Sequence, residues 1–525
     1  MASPFRTLIR CGIRMRPAPR PLRPPRIQMR AYSSGQASSA GSTCSAAIAP
    51  GSIAPFVAEL DRIAPAFDIN GADVRVIQAP AEFYQTLKDK IKGAKRRVFL
   101  ATLYIGKTER DLIDTLQTAL RANPELRVSI LTDALRGTRE APNPSSASLL
   151  APLVTEFGPE RVEIRMYHTP NLTGLRKKYI PKRINEGWGL QHMKLYGIDD
   201  EIILSGANLS TDYFTNRQDR YHVFSSKQVT DYYSKIHHGV ASLSYLIKPS
   251  TCAAGFELTW PNSGPSPISD PAGFIAHATS RLHPLIMPSP SSCLPPAVAN
   301  TRVYMLSQFS QLLQPDTSTE LSAITHVLQT LSQPAYAGSS WTFTAGYFNP
   351  APSLTRLLVT SASRAGVVIT ASPHANGFFQ SKGVSGMLPA AYTYLARRFL
   401  RSVQAAGRED AVVLKEWRRG CVTQPDGWTY HAKGLWVTLP GDADPAISIV
   451  GSSNYTKRSY SLDLEAGALI VTRDEDLKKR LGQEQRWLQE YAEKATLDDL
   501  AKTERRVGIH VRLAMWFVQA VGGAL

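Results

Sequence analysis

Apolar and polar positions along this chain follow a rhythm that occurs twice. Val74-Arg-Val-Ile77 predicts a strand. Pro80 to Lys92 places Phe83, Leu87 and Ile91 on one helical face. Arg97 to Tyr104, Arg127 to Leu131 and Arg161 to Arg165 read as further strands, with a helix over Asp111 to Arg121. The series returns after residue 300. Trp341 to Tyr347 matches Phe99 to Tyr104, Gly366 to Ala371 matches Val128 to Thr132, and Val412 to Lys415 matches Val162 to Arg165. A repeat this long and diverged marks a duplicated domain and not a solenoid. The expected fold is α/β: duplicated α-β-α domains, each a mixed sheet flanked by helices, with a site at their pseudo-two-fold interface.

The flanks carry other patterns. Residues 1–32 hold eight arginines, no lysine and no acid, spaced along an otherwise apolar segment, and read as a mitochondrial presequence. Residues 33–69 read as a linker, Ser/Ala/Gly-rich up to 55. The first half spans 70–246, a Pro-rich junction with ten prolines 247–300, the second half 301–473, and a helical segment with an apolar tail 474–525. The tail suits either an interfacial anchor or a terminal helix docked on the core. The net charge of +17 falls to about +9 without residues 1–32, a balance that suits an anionic surface. The five cysteines make no CxxC pair and no zinc spacing.

Each half leads to a His-x-Lys. The first is His192-Met-Lys194 with Asp199 and then Asn208; the second is His431-Ala-Lys433 with Asn454. Strand alternation puts each histidine and its lysine on one face. Two such strands about a two-fold axis bring together two imidazoles and two ammonium groups. One imidazole can attack phosphorus while the other moves the proton, with Lys194, Lys433, Asn208 and Asn454 on the non-bridging oxygens. A nucleophilic imidazole needs an acceptor on its other nitrogen. Asp219 and Glu465, each 11 residues after its asparagine, are the matched candidates. The second copy has Thr438 where the first has Asp199, which marks Asp199, though part of the catalytic motif, as supporting.

The pattern resembles the phospholipase D superfamily, whose motif is HxKx4D followed by GSxN. The first copy departs with Ser205-Gly206-Ala207-Asn208. The second lacks the Asp and has a His-to-Asn gap of 23 residues against 16. Gly206 to Tyr221, Thr429 to Trp436 and Asp463-Leu-Glu-Ala466 are closer still to the eukaryotic mitochondrial phosphatidylglycerophosphate synthases. That resemblance implies CDP-diacylglycerol and sn-glycerol 3-phosphate as substrates, CMP release, a peripheral place on the mitochondrial inner membrane, no cofactor and no metal. On this reading His192 is the nucleophile and His431 the acid/base, or the reverse, since the site is pseudo-symmetric. A phospholipid hydrolase or a nuclease of the same superfamily is the alternative. No grouped aromatic and basic residues support nucleic-acid binding.

Two weaker signals remain. Arg176, Lys177, Lys178, Lys182 and Arg183 suit a pyrophosphate or the acceptor's phosphate, or else form a solvated loop meeting anionic head groups. Ala101, Gly106, Lys107 and Thr108 satisfy a loose phosphate-loop pattern. Its interior, Thr-Leu-Tyr-Ile, lacks the glycines that let backbone amides wrap a phosphate.

Overall fold

A computed structural model describes residues 52–182, 184–288 and 299–520, with backbone only for 517–520. The proposed presequence lies outside the described residues.

Two nine-stranded mixed sheets carry the repeat. The first runs Phe256–Thr259, Tyr245–Pro249, Val162–Tyr167, Arg127–Asp133, Arg97–Ala101, Leu195–Ile198, Glu201–Ser205, Tyr221–Phe224, Val74–Ile77. The second runs Ala492–Ala495, Val412–Trp417, Ala365–Ala371, Ser340–Ala345, Lys433–Thr438, Ile447–Gly451, Glu465–Thr472, Thr301–Gln308, Ala66–Ile69. In each, three parallel strands (97–101, 127–133, 162–167; 340–345, 365–371, 412–417) continue into antiparallel strands that follow the His-x-Lys. Parallel strands buried on both faces need largely apolar runs, supplied by Val367 to Ile369 and by Val128 to Leu131, where the one polar residue, Ser129, meets His237 Nε2 at 2.9 Å.

One apolar cluster joins the halves: Met193, Leu204, Tyr233 and Phe274 of the first pack with Val303, Val450, Ala466 and Ile470 of the second. Burial of this many large side chains, each contributing roughly 1.5–3 kcal/mol, fixes the two sheets against each other.

Three boundaries are corrected. The expected linker ends in helix Ala54–Ile63 and strand Ala66–Ile69, which pairs with Thr301–Gln308. Phe56 stacks edge-on against Tyr336 at 5.2 Å, so this segment belongs to the second half. The expected junction holds a hairpin, Tyr245–Pro249 with Phe256–Thr259, on the edge of the first sheet, then helix Pro271–Ile286. Among the described residues Pro249 ends a strand and Pro271 opens the helix, places that suit a residue without an amide proton, while Pro284 lies inside the helix. The segment after 473 is not all helix: Ala492–Ala495 adds an edge strand beside Val412–Trp417.

Candidate active site at the interface of the halves

His192 precedes strand Leu195–Ile198 and is fixed by the second half. Its amide donates to the Leu464 carbonyl at 2.9 Å. The two Glu465 carboxylate oxygens lie 2.9 and 3.0 Å from its Nδ1. His431 lies between strands Thr429–Tyr430 and Lys433–Thr438 and is fixed by the first half. Its amide donates to the Gln218 carbonyl at 2.8 Å, and Asp219 Oδ2 is 2.7 Å from its Nδ1. The carboxylates are thus exchanged: each half orients the other's histidine.

Each lysine folds back on its own histidine. Lys194 Nζ donates to the His192 carbonyl at 2.7 Å and Lys433 Nζ to that of His431 at 2.7 Å. Lys433 Nζ also lies 3.6 Å from Asp219 Oδ2. Gly206 is required here, because a Cβ would come within 2.7 Å of Asp219 Oδ1 and 2.9 Å of Lys433 Nζ. That close approach explains why Gly stands where the motif usually has Ser. In the second copy Ser452 keeps its hydroxyl, which donates to Glu465 Oε2.

The site is buried, and burial sets its titration. Desolvation holds both imidazoles well below their usual range, Lys194 adding to it at His192 and Lys433 at His431. The same cause pushes Lys194 down to about 7 and Lys433 to about 8. Burial raises Asp219 and takes Glu465 up to about 7. The His192 charge acts on His431, so the two imidazoles share one electrostatic environment.

The nitrogens facing the cleft differ. Tyr213 Oη lies 3.3 Å from His431 Nε2 and accepts from the Asn208 amide at 3.2 Å. Burial keeps this phenol protonated, so it donates to the imidazole. His192 Nε2 has no hydrogen-bond partner among the described residues. Asn454 Oδ1 is buried and unpartnered. Arg217 stacks over Tyr213 at 4.5 Å and pairs with Asp212 at 2.9 Å. Arg458 Nε is 3.0 Å from Asp463, whose Oδ1 accepts from the Leu190 amide at 3.1 Å.

Behind the second imidazole, Arg220 crosses from the first half. It pairs with Glu484 at 2.8 Å, lies 3.8 Å over the Trp436 ring, and donates to the Lys433 carbonyl at 3.2 Å. Glu484 also receives His222 Nε2 at 2.9 Å and Trp436 Nε1 at 3.0 Å.

Of the expected residues, the structure brings together His192, Lys194, Asn208, Asp219, His431, Lys433 and Glu465. Asp199 is not among them. It lies beyond the far end of strand Leu195–Ile198, roughly 20 Å along the chain from His192 at ~3.3 Å per residue. Its carboxylate accepts the amides of Lys95 and Arg96 at 2.8 Å and of Arg97 at 3.1 Å, and its own φ is +51°. It shapes a turn, and its carboxylate is hydrogen bonded to backbone there and not to either imidazole or lysine of the site. Arg176, Lys177 and Lys178 lie on helix Gly174–Tyr179 and Lys182 is exposed beyond it. None is hydrogen bonded to the central residues, and Arg183 lies outside the described residues. The phosphate-loop pattern sits in a strand–loop–helix position, but two of its amides are taken: Thr102 donates to Leu131 at 3.0 Å and Gly106 to Leu209 at 2.8 Å. The cavity beside it carries Lys107 and Arg136 together with the acids Glu109, Glu140 and Asp212, which does not make an anion cradle.

Sequence reasoning missed Tyr213, Arg217, Arg458, Asp463 and the Arg220–Glu484 pair. Tyr213 follows Asn208 by 5 residues, a position without a tyrosine in the second copy (Ser459), so the repeat gave no signal. Arg220 and Glu484 are 264 residues apart, and nothing local links them.

Two imidazole–lysine pairs on duplicated mixed sheets, each oriented by a carboxylate from the opposite repeat, define a phospholipase D-like protein. A family model described as "Cardiolipin synthase, PLD-like domain" matches residues 87–239. The chain is 47% identical over 461 residues to the CDP-diacylglycerol–glycerol-3-phosphate 3-phosphatidyltransferase of Saccharomyces cerevisiae, covering 85% of this chain and 88% of that one. It is 37% identical to the mitochondrial enzyme of that name from Mus musculus, covering 81% and 79%. The solved phosphatidylserine synthase of Haemophilus influenzae superposes with a TM-score of 0.69 at 19% identity, covering 89% of this chain and 97% of that one, a likeness of fold. The chain belongs to the CDP-diacylglycerol–glycerol-3-phosphate 3-phosphatidyltransferase family.

Proposed function

We propose that the protein transfers the phosphatidyl group of CDP-diacylglycerol to sn-glycerol 3-phosphate, giving phosphatidylglycerophosphate and CMP. The observation that carries this reading is the pair of carboxylate-oriented imidazoles in a chain so similar to transferases of that name.

His192 Nε2 attacks the phosphorus of the phosphatidyl group, and the bond from phosphorus to the CMP oxygen breaks, leaving a phosphohistidine. Glu465 holds the Nδ1 proton, so the attacking nitrogen carries the lone pair and the growing positive charge on the ring is offset. The departing CMP oxygen leaves as a phosphate without a proton from His431, which is neutral and accepts from Tyr213 at Nε2. That step asks little, because a phosphate monoester has its second pKa near ~6. In the second step the depressed basicity of His431 still lets it take the proton from the acceptor's hydroxyl, whose oxygen displaces His192. Lys194, Lys433 and the amide NH2 groups of Asn208 and Asn454 donate to the non-bridging oxygens. Asp219 and Glu465 orient and do not react.

The protein works at an anionic membrane surface, as a peripheral protein of the mitochondrial inner membrane. Support comes from the basic balance, from the relatives named mitochondrial, and from the lack, among the described residues, of any helix long and apolar enough to cross a membrane. Purified protein with labelled CDP-diacylglycerol tests the reaction. CMP release that depends on glycerol 3-phosphate is expected; release with water alone would make the protein a hydrolase.

A further inference from the structure

A cavity of 610 Å³ lies on the second half, between helices Pro352–Thr360, Leu388–Ala405 and Ile509–Ala520. Its volume is that of a ligand cleft. Phe348, Val359, Leu395, Phe399 and Met515 form an apolar floor. Arg356, Arg398 and Lys457 stand around it, all exposed, and none is in an ion pair among the described residues. No acidic residue lines it. An apolar floor under three unopposed cations is the complement of an anionic amphiphile: chains below, phosphate above.

Two further observations give this cavity a place in the molecule. Adjacent residues meet the cavity and the candidate active site. Phe348 lines the cavity, while its neighbour Tyr347 meets the His431 ring edge-on at 5.5 Å. On the helix above, Leu395 lines the cavity and Tyr392 stacks on Tyr347 at 5.5 Å. The floor is closed by the terminal helix, whose Val511 and Met515 pack on Ala391 and Leu395. The opposite face of that helix presents Ile509, Leu513 and Trp516 to solvent at 73, 60 and 67% exposure. These lie at helical spacing on one stripe, the pattern of a helix resting in a lipid–water interface.

We propose that this cavity takes the acyl chains of an anionic diacylglycerophospholipid drawn from the bilayer, with the phosphate held by Arg356, Arg398 and Lys457. The terminal helix lies at the bilayer surface beside its mouth. The choice of a diacyl lipid rests on the phosphatidyl-transfer reading; the fit to an anionic amphiphile does not.

The test uses the full chain with phosphatidylcholine vesicles containing photoactivatable phosphatidylglycerol, and maps the crosslinked peptides by mass spectrometry. Crosslinks are expected on Pro352–Thr360, Leu388–Ala405 and the terminal helix. They should fall on the order of tenfold or more in R356Q/R398Q/K457Q, each cation near a lipid surface contributing severalfold to binding. The control K92Q/K479Q/K494Q, which neutralises three exposed cations outside the cavity, should leave them unchanged. Displacement of the crosslink by CDP-diacylglycerol would make the cavity the donor's acyl site; persistence would make it a site for a bilayer lipid. Crosslinks confined to other segments, or equal in both triple variants, would overturn the proposal. Acceptor-dependent CMP release is followed in parallel with a short-chain, water-dispersed donor. If that activity is absent while the cavity crosslinks, the transferase reading fails and the lipid site stands.

Discussion

Glu465 reaches across from the second repeat to hold His192 of the first, with both carboxylate oxygens within 3.0 Å of Nδ1. Such a contact controls which ring nitrogen carries the proton. Glu465→Gln keeps the shape but allows the amide to present its NH2 to Nδ1, favouring the wrong tautomer. The expected loss in kcat is about 10²–10⁴-fold with donor affinity little changed, read as CMP release under saturating acceptor. Asp219→Asn should act on the second step in the same way. Acid-quenched enzyme given donor without acceptor should carry its phosphatidyl adduct on a peptide containing His192. An adduct on His431 would reverse the two roles.

Tyr213→Phe removes the donor to His431 Nε2 while leaving the ring that stacks under Arg217. Transfer should slow by roughly 10- to 100-fold, short of a full acid–base effect because His431 itself remains. The adduct on His192 should still form. A variant with unchanged turnover would remove the hydroxyl from the mechanism.

The pH profile of kcat should be narrow. Both imidazoles stay neutral into acidic pH, but Glu465, raised to about 7, takes up a proton as pH falls through that value and stops accepting from the His192 ring, so the acid limb begins there. Lys194 and Lys433, lowered to about 7 and about 8, lose their protons where an ordinary lysine keeps its own. Their loss withdraws positive charge from the phosphoryl oxygens. Activity at saturating substrates should therefore begin to decline between pH 7 and 8; a plateau up to pH 9.5 would contradict this.

The Arg220–Glu484 pair is buried on both sides, at 1% side-chain exposure each. Removing one partner leaves an uncompensated charge, so Arg220→Met or Glu484→Leu should each destabilise the fold by about 3–5 kcal/mol in denaturant titrations, and the double variant by less than the sum. Because Arg220 also holds the Lys433 carbonyl, the double variant should still show impaired turnover.

A two-imidazole mechanism asks for no divalent ion in the chemical step. Acceptor-dependent CMP release should persist in EDTA. Abolition restored by added magnesium or manganese would count against the residue roles proposed for His192 and His431.

Much of this was legible in the sequence for physical reasons. Period-two and helical apolar patterns located the strands from Val74 to Arg165 and their repeat from Trp341 to Lys415. Matched spacing after Asn208 and Asn454 picked out both carboxylates that meet the imidazoles. Spacing carries no information about which half a side chain faces, so the exchange of Asp219 and Glu465 between histidines emerged only in three dimensions. The prolines of 247–300 suggested a break where the chain forms a hairpin and a helix, because proline is equally at home at the ends of such elements. Asp199 was prominent in the motif and proved to cap a turn, since a carboxylate beside three free amides serves the backbone as readily as it serves catalysis.

The exchange of carboxylates also sets a condition in time. A ribosome that has finished the first repeat has made His192, Lys194 and Asn208 but not Glu465, and the histidine has no acceptor for its ring proton. Competence therefore arrives late in synthesis, with the last strands of the second sheet. A chain that stops before Glu465 holds a histidine–lysine pair without the carboxylate that meets its ring.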